Sequence, residues 1–208
     1  MSTLQLHNAL TDISELPYLS GTAFEKACVD ILCRHLGLNL ELPRDSNSDY
    51  DATRRATCYS STEWTQSPVV IYQPRGPQQS PDIHVINGSR LLSIECKANE
   101  TNSQPDWNQH IPTQDVLYLW NSGKHKCVFI RAGFQVIDKE EELAVRKYYA
   151  ELKRSVKSMA FPSGQSRLNI ALRYKLTDEQ RDEIFRDSPL LHDEAIAWAL
   201  ETLYTPVN

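Results

Sequence analysis

Apolar positions along the chain recur at two spacings, and each spacing marks an element. Phe24, Cys28, Ile31, Leu32, His35 and Leu36 repeat at helical intervals, which predicts a helix over residues 22–36 with Gly37 as its C-terminal stop. Val69-Val70-Ile71-Tyr72 reads as a strand, closed by the turn cluster Pro74-Arg75-Gly76-Pro77. Ile83-His84-Val85-Ile86 and Leu91-Leu92-Ser93-Ile94 are β-prone runs on either side of Asn87-Gly88-Ser89, a hairpin signal. Further strands are predicted at residues 116–120, 127–131 and 168–174. A charge-rich helix is predicted over 140–159, carrying Leu143, Tyr148, Leu152 and Val156. Two more helices close the chain: 178–186, opened by Thr177 and Gln180 in a capping-box arrangement, and 189–203, with Pro189 at its start. The polar stretch 43–68 reads as an irregular excursion. No repeat or long linker interrupts the pattern, so residues 1–208 are expected to form one domain with a layered α/β (α+β) core.

Composition narrows this picture only slightly. The chain is 40% apolar and 24% charged, ordinary usage for a soluble domain of 208 residues. No run approaches the roughly 18–20 consecutive apolar residues of a membrane span. Met1 to Asn8 lacks both a basic start and an apolar core, so no export signal is expected. The cysteines Cys28, Cys33, Cys58, Cys96 and Cys127 are odd in number and lack C-x-x-C spacing, which suits free thiols in a reducing cytoplasm. Six scattered histidines form no zinc-like grouping, and each is expected to be structural or superficial. A net charge of −5 argues against a protein that coats nucleic acid by charge alone, but says little about any one cleft.

The run Pro81-Asp82, twelve residues, then Glu95-Cys96-Lys97 carries the chemistry. Glu95 and Lys97 lie two apart on a predicted strand and share one face, while Ile94 and Cys96 share the other. With Gly88-Ser89 as the two-residue loop, Asp82 falls directly opposite Glu95; with Asn87-Gly88 as the loop, Asp82 faces Ser93 and Glu95 lies diagonal. Either register brings two carboxylates within reach of one cation. Such a pair offers hard oxygen ligands to Mg²⁺, which stabilises charge on a phosphoryl transition state and acidifies an attacking water. Lys97 is expected to orient that water or stabilise the developing charge, and acts as a base only with a strongly depressed pKa.

These residues resemble the PD-(D/E)xK nuclease superfamily. The resemblance implies a restriction-endonuclease-like core, a central mixed sheet flanked by helices, with Asp82, Glu95 and the Cys96 carbonyl binding Mg²⁺ and Lys97 assisting hydrolysis. It also implies a metal-shell role for Glu25 on the first core helix, although Thr22-x-x-Glu25 is equally a capping box. An Asn, a Pro and then Asp115-Val116-Leu117-Tyr118, following Lys97, is similar to several type II restriction endonucleases. The expectation is a Mg²⁺-dependent, site-specific deoxyribonuclease acting on double-stranded DNA as a homodimer. The alternatives are a repair or recombination nuclease of the same fold and a catalytically silent DNA-binding module. No Walker A sequence is present, so no nucleotide cofactor is expected.

Base-reading candidates are Arg44, Arg54, Arg55, Arg75, Asn102, Gln104, Asn108 and Gln109, side chains suited to purine edges. The polar loop 99–110 is either a wall of a DNA cleft or a solvated connection anchored by Trp107. Arg146, Lys147, Lys153, Arg154 and Lys157 either follow phosphates or form a solvated helix face.

Overall fold

The computed structural model describes residues 2–37, 69–74, 80–101, 107–108, 111–157 and 173–205. Its first element, α1 (Thr3–Ser14), is not among the predicted ones, although its signals are local. Ser2 and Gln5 form a capping box: the Ser2 N–H donates to Gln5 Oε1 at 2.7 Å, and Ser2 Oγ accepts from the Gln5 N–H. Leu6, Ala9, Leu10 and Ile13 then make one buried stripe at helical spacing. Helix α2 (Gly21–Leu36) follows, and Gly37 ends it in the left-handed conformation at φ 68°, as predicted.

The remaining elements are β1 (Val69–Tyr72), β2 (Ile83–Asn87), β3 (Arg90–Asn99), β4 (Trp107–Asn108), β5 (Val116–Ser122), β6 (Cys127–Ala132), α3 (Lys139–Lys157), β7 (Arg173–Tyr174), α4 (Asp178–Ile184) and α5 (Pro189–Tyr204). Five strands form one mixed sheet in the order β1-β2-β3-β5-β6, antiparallel throughout except for the parallel β3–β5 pair. A parallel neighbour cannot be reached by a tight turn, so residues 100–115 cross over between those two strands. Strands β4 and β7 pair separately. Of the predicted excursion at 43–68 and the predicted strand at 168–174, only Arg173–Tyr174 falls within the described residues.

Strand β5 is buried at every position, as expected of a central strand covered on both faces. On one face Ile94, Cys96, Leu117, Leu119, Val128 and Ile130 pack with residues of α1, α2 and α5 into the main core. On the other, Val116, Tyr118, Trp120 and Phe129 pack with Leu176 and Ile184 in a smaller cluster. The Thr177 capping box opens α4 as predicted, and the helix ends two residues earlier than expected. Helix α3 keeps to the surface, with Leu143 and Tyr148 exposed. Behind β6 the backbone turns tightly at Gly133, where an added Cβ meets the Thr113 carbonyl oxygen at 2.0 Å. No helix among the described residues is long and apolar enough to cross a membrane.

Because α1 seals the main core against α2, α5 and β6, it is integral to the domain. Leu10→Ala, at a fully buried position, is expected to lower unfolding stability by about 2–4 kcal/mol in a urea melt. A loss below about 0.5 kcal/mol would mean that α1 is not part of the cooperative core.

Candidate active site

The β2–β3 hairpin settles the register. Asn87 pairs with Arg90 and Ile83 with Ile94, so Gly88-Ser89 is the loop, and Gly88 takes the left-handed position at φ 61°. The paired ladder ends at Ile83–Ile94; continued one step, this register puts Asp82 opposite Glu95, the first of the two predicted arrangements. The carboxylate of Asp82 folds back across the strand gap: its Oδ2 accepts the Cys96 N–H at 2.8 Å.

That bond also accounts for the proline. Within a strand, the N–H and C=O of one residue point to the same side, so the Cys96 carbonyl faces β2 as its N–H does. The residue opposite Cys96 in this register is Pro81, which has no N–H to donate. Continued to that position, the register offers the Cys96 carbonyl no N–H from Pro81.

Glu95 and Lys97 project from the opposite face to Ile94 and Cys96, which lie in the main core. Glu95 is 4% exposed; Lys97 Nζ donates to its Oε1, while its buried Oε2 has no hydrogen-bond partner among the described residues. Burial works against the Lys97 charge, but the adjacent Glu95 carboxylate prevails and raises its pKa above the ordinary lysine value. Lys97 is thus held as a cation beside Glu95.

Glu25 does not cap its helix. Ser20 is the N-cap residue of α2 and makes no side-chain cap bond, so the Thr22–Glu25 capping box does not form. Instead Glu25 Oε2 accepts from the Tyr72 hydroxyl at 2.7 Å and from Gln73 Nε2 at 3.4 Å. Burial and then the Glu25 carboxylate push the Tyr72 hydroxyl pKa up, so it stays a donor. Gln73 sits at φ 48°, which costs a non-glycine residue on the order of 1 kcal/mol. Its N–H donates to the Asp82 carbonyl at 2.6 Å. Neither Tyr72 nor Gln73 is among the predicted site residues; their roles depend on a strand end meeting a helix, which no local pattern signals.

Among the described residues, Asp82 thus feels two further carboxylates and one ammonium. The cost shows at Asp82: burial, then the charges of Glu95 and Glu25, push its pKa up to about 7 against the opposing effects of Lys97 and the Cys96 N–H. Among the described residues no group of three or more His, Cys, Asp or Glu side chains is arranged as a metal cage. The donors that do fit a small hard cation are the Asp82 carboxylate, the partnerless Glu95 Oε2 and the Cys96 carbonyl, all oxygens. A divalent ion held there would counter the carboxylate charges that, after burial, raise the Asp82 pKa.

Arg44, Arg54, Arg55, Arg75, Asn102, Gln104 and Gln109 lie outside the described residues. Asn108 lies in β4, paired with Arg173. On α3, Arg146 is ion-paired with Glu142, and Lys153 lies over the Tyr149 ring at 4.3 Å, as on a solvated helix face. The chain matches no known protein family, no curated protein and no solved structure.

A raised folded-state pKa means that the Asp82 contribution to stability is fully present below about pH 4 and is lost as pH rises through about 7. Asp82→Asn removes this loss. Without added metal, it is expected to be more stable than the wild type by roughly 2–4 kcal/mol at pH 8, with the gap closing toward pH 4. Thermal melts across this range check it, and a gap independent of pH contradicts the electrostatic account.

Proposed function

We propose that this chain is a Mg²⁺-dependent deoxyribonuclease of the PD-(D/E)xK type that hydrolyses phosphodiester bonds in double-stranded DNA. The observation that carries the reading is the facing pair Asp82 and Glu95, with a buried, partnerless Glu95 oxygen and Lys97 on the same strand face. A five-strand mixed sheet flanked by helices is consistent with a restriction-endonuclease-like core. The Asp-Val-Leu-Tyr strand after Lys97 favours a type II restriction enzyme, acting as a homodimer on a short symmetric site.

In this reading Asp82, Glu95 and the Cys96 carbonyl hold Mg²⁺, with Glu25 as a further carboxylate. Bound Mg²⁺ supplies Lewis acidity, drawing charge from the scissile phosphate and acidifying water. The chain's own residues do the rest. Lys97, fixed by Glu95, presents an ammonium to the charge that builds on the phosphate oxygens, and its N–H groups orient the attacking water. Asp82 is held at its Oδ2 by the Cys96 N–H, so its other oxygen is free to face a ligand. The buried Glu95 is anchored at Oε1 by Lys97 and keeps Oε2 for the same purpose.

Incubation of a long DNA of known sequence with the protein and Mg²⁺, followed by sequencing of the ends, tests the proposal. Defined fragments with fixed ends are expected, together with losses of roughly a hundredfold or more in Asp82→Ala, Glu95→Ala and Lys97→Ala. Cleavage confined to branched or mismatched DNA points to a repair nuclease. No Mg²⁺-dependent cleavage at all, or full activity in the Asp82 and Lys97 variants, refutes the assignment.

A further inference from the structure

Glu25 reaches the site from a different element than Asp82, Glu95 and Lys97, and the contacts that bring it there involve two residues with no assigned role. The Tyr72 hydroxyl donates to Glu25 Oε2 at 2.7 Å. Gln73 Nε2 reaches the same oxygen at 3.4 Å and the Tyr72 hydroxyl at 3.0 Å, closing a three-membered polar cluster. The backbone of Gln73 simultaneously donates to the Asp82 carbonyl at 2.6 Å. One residue therefore touches both the helix-borne carboxylate and the segment that carries the strand-borne one. It does so from a left-handed backbone conformation, φ 48°, that a side chain other than glycine disfavours.

We infer that Tyr72 and Gln73 are positioning residues that hold Glu25 toward Asp82, as a further carboxylate for a cation bound by Asp82 and Glu95. Both donors engage Oε2, and among the described residues no donor reaches Oε1, which is the oxygen kept for the cation or its water. Without these bonds Glu25 is a side chain in the second turn of a helix, repelled by Asp82 and Glu95 and free to turn toward solvent. The hydroxyl and amide counteract that repulsion by hydrogen bonding, and they add no positive charge that would compete with a cation. A lysine or arginine in the same place would hold Glu25 as well but would neutralise the site. The left-handed backbone directs the Gln73 N–H to Asp82 while its side chain returns to Glu25, joining two otherwise separate supports of the site.

This inference rests on the nuclease reading of the site, and the test separates the two. The full chain, without DNA, is titrated with MnCl₂ alone and followed by calorimetry or by the electron paramagnetic resonance of the free ion. The variants are Tyr72→Phe, Gln73→Gly, Glu25→Gln and the double variant Tyr72→Phe/Glu25→Gln. Tyr72→Phe and Gln73→Gly are each expected to weaken Mn²⁺ binding by about tenfold, as loss of an orienting partner does. Because Tyr72 acts through Glu25, the double variant is expected to bind no more weakly than Glu25→Gln alone. Melts without metal supply the control: Gln73→Gly relieves the backbone, so its apo stability is expected to hold or rise while its Mn²⁺ affinity falls. A purely structural role would move both quantities down together. Wild-type affinity in Tyr72→Phe, or fully multiplicative losses in the double variant, overturns the positioning role and leaves the nuclease reading intact. A wild-type chain that binds no Mn²⁺ overturns both.

Discussion

The pairing of Ile83 with Ile94 governs what lies past it on either strand. The paired ladder ends there; continued, the same register puts Asp82 opposite Glu95 and then Pro81, which has no N–H, opposite Cys96. The Cys96 N–H that a longer ladder would have used is taken by the Asp82 carboxylate. A single β-sheet register thus sets the relation of Asp82 to both Glu95 and Cys96. A slip of one residue would send Glu95 into the apolar core and bring Ile94 or Cys96 out in its place.

Holding that arrangement is costly. Buried carboxylates without full partners cost several kcal/mol, and among the described residues the cation that meets them is Lys97. The opposition comes from the apolar face directly beneath, where Ile94, Leu117, Leu119 and Ile130 are fully buried and each stabilises by roughly 1.5–3 kcal/mol. The same strand therefore carries both the cost and its offset, one residue apart. Helix α2 repeats the scheme: Phe24 and Cys28 lie in the core while Glu25 reaches Tyr72.

Most of the sheet is legible in the sequence because its signals are local. Period-two runs separated by Asn-Gly-Ser specify the hairpin, and the continuous apolar run at 116–120 specifies a strand covered on both faces. Helix α1 is equally legible, since Ser2-x-x-Gln5 followed by Leu6, Ala9, Leu10 and Ile13 is a capped amphipathic stripe, yet it is absent from the predicted elements. The site divides along the same line. Asp82, Glu95 and Lys97 can be placed together from strand periodicity alone. For Glu25 the local rule pointed equally to a helix cap, and tertiary contact with Tyr72 and Gln73 decided against it. Those two residues carry no sequence signal because their roles arise only where β1 ends against α2.

The two-residue tip at Gly88-Ser89 imposes a counting rule on the chain. The twelve residues between Asp82 and Glu95 are two arms of equal length plus the tip, so the interval is even by construction. With the two-residue tip kept, the hairpin can lengthen or shorten only by matched additions to both arms, and the interval stays even. A single residue inserted in one arm keeps both acids in the sequence and still separates their faces. Spacing in such a motif is a parity condition set by pleating, and a chain with an odd interval needs a different loop or a bulge to bring its carboxylates together.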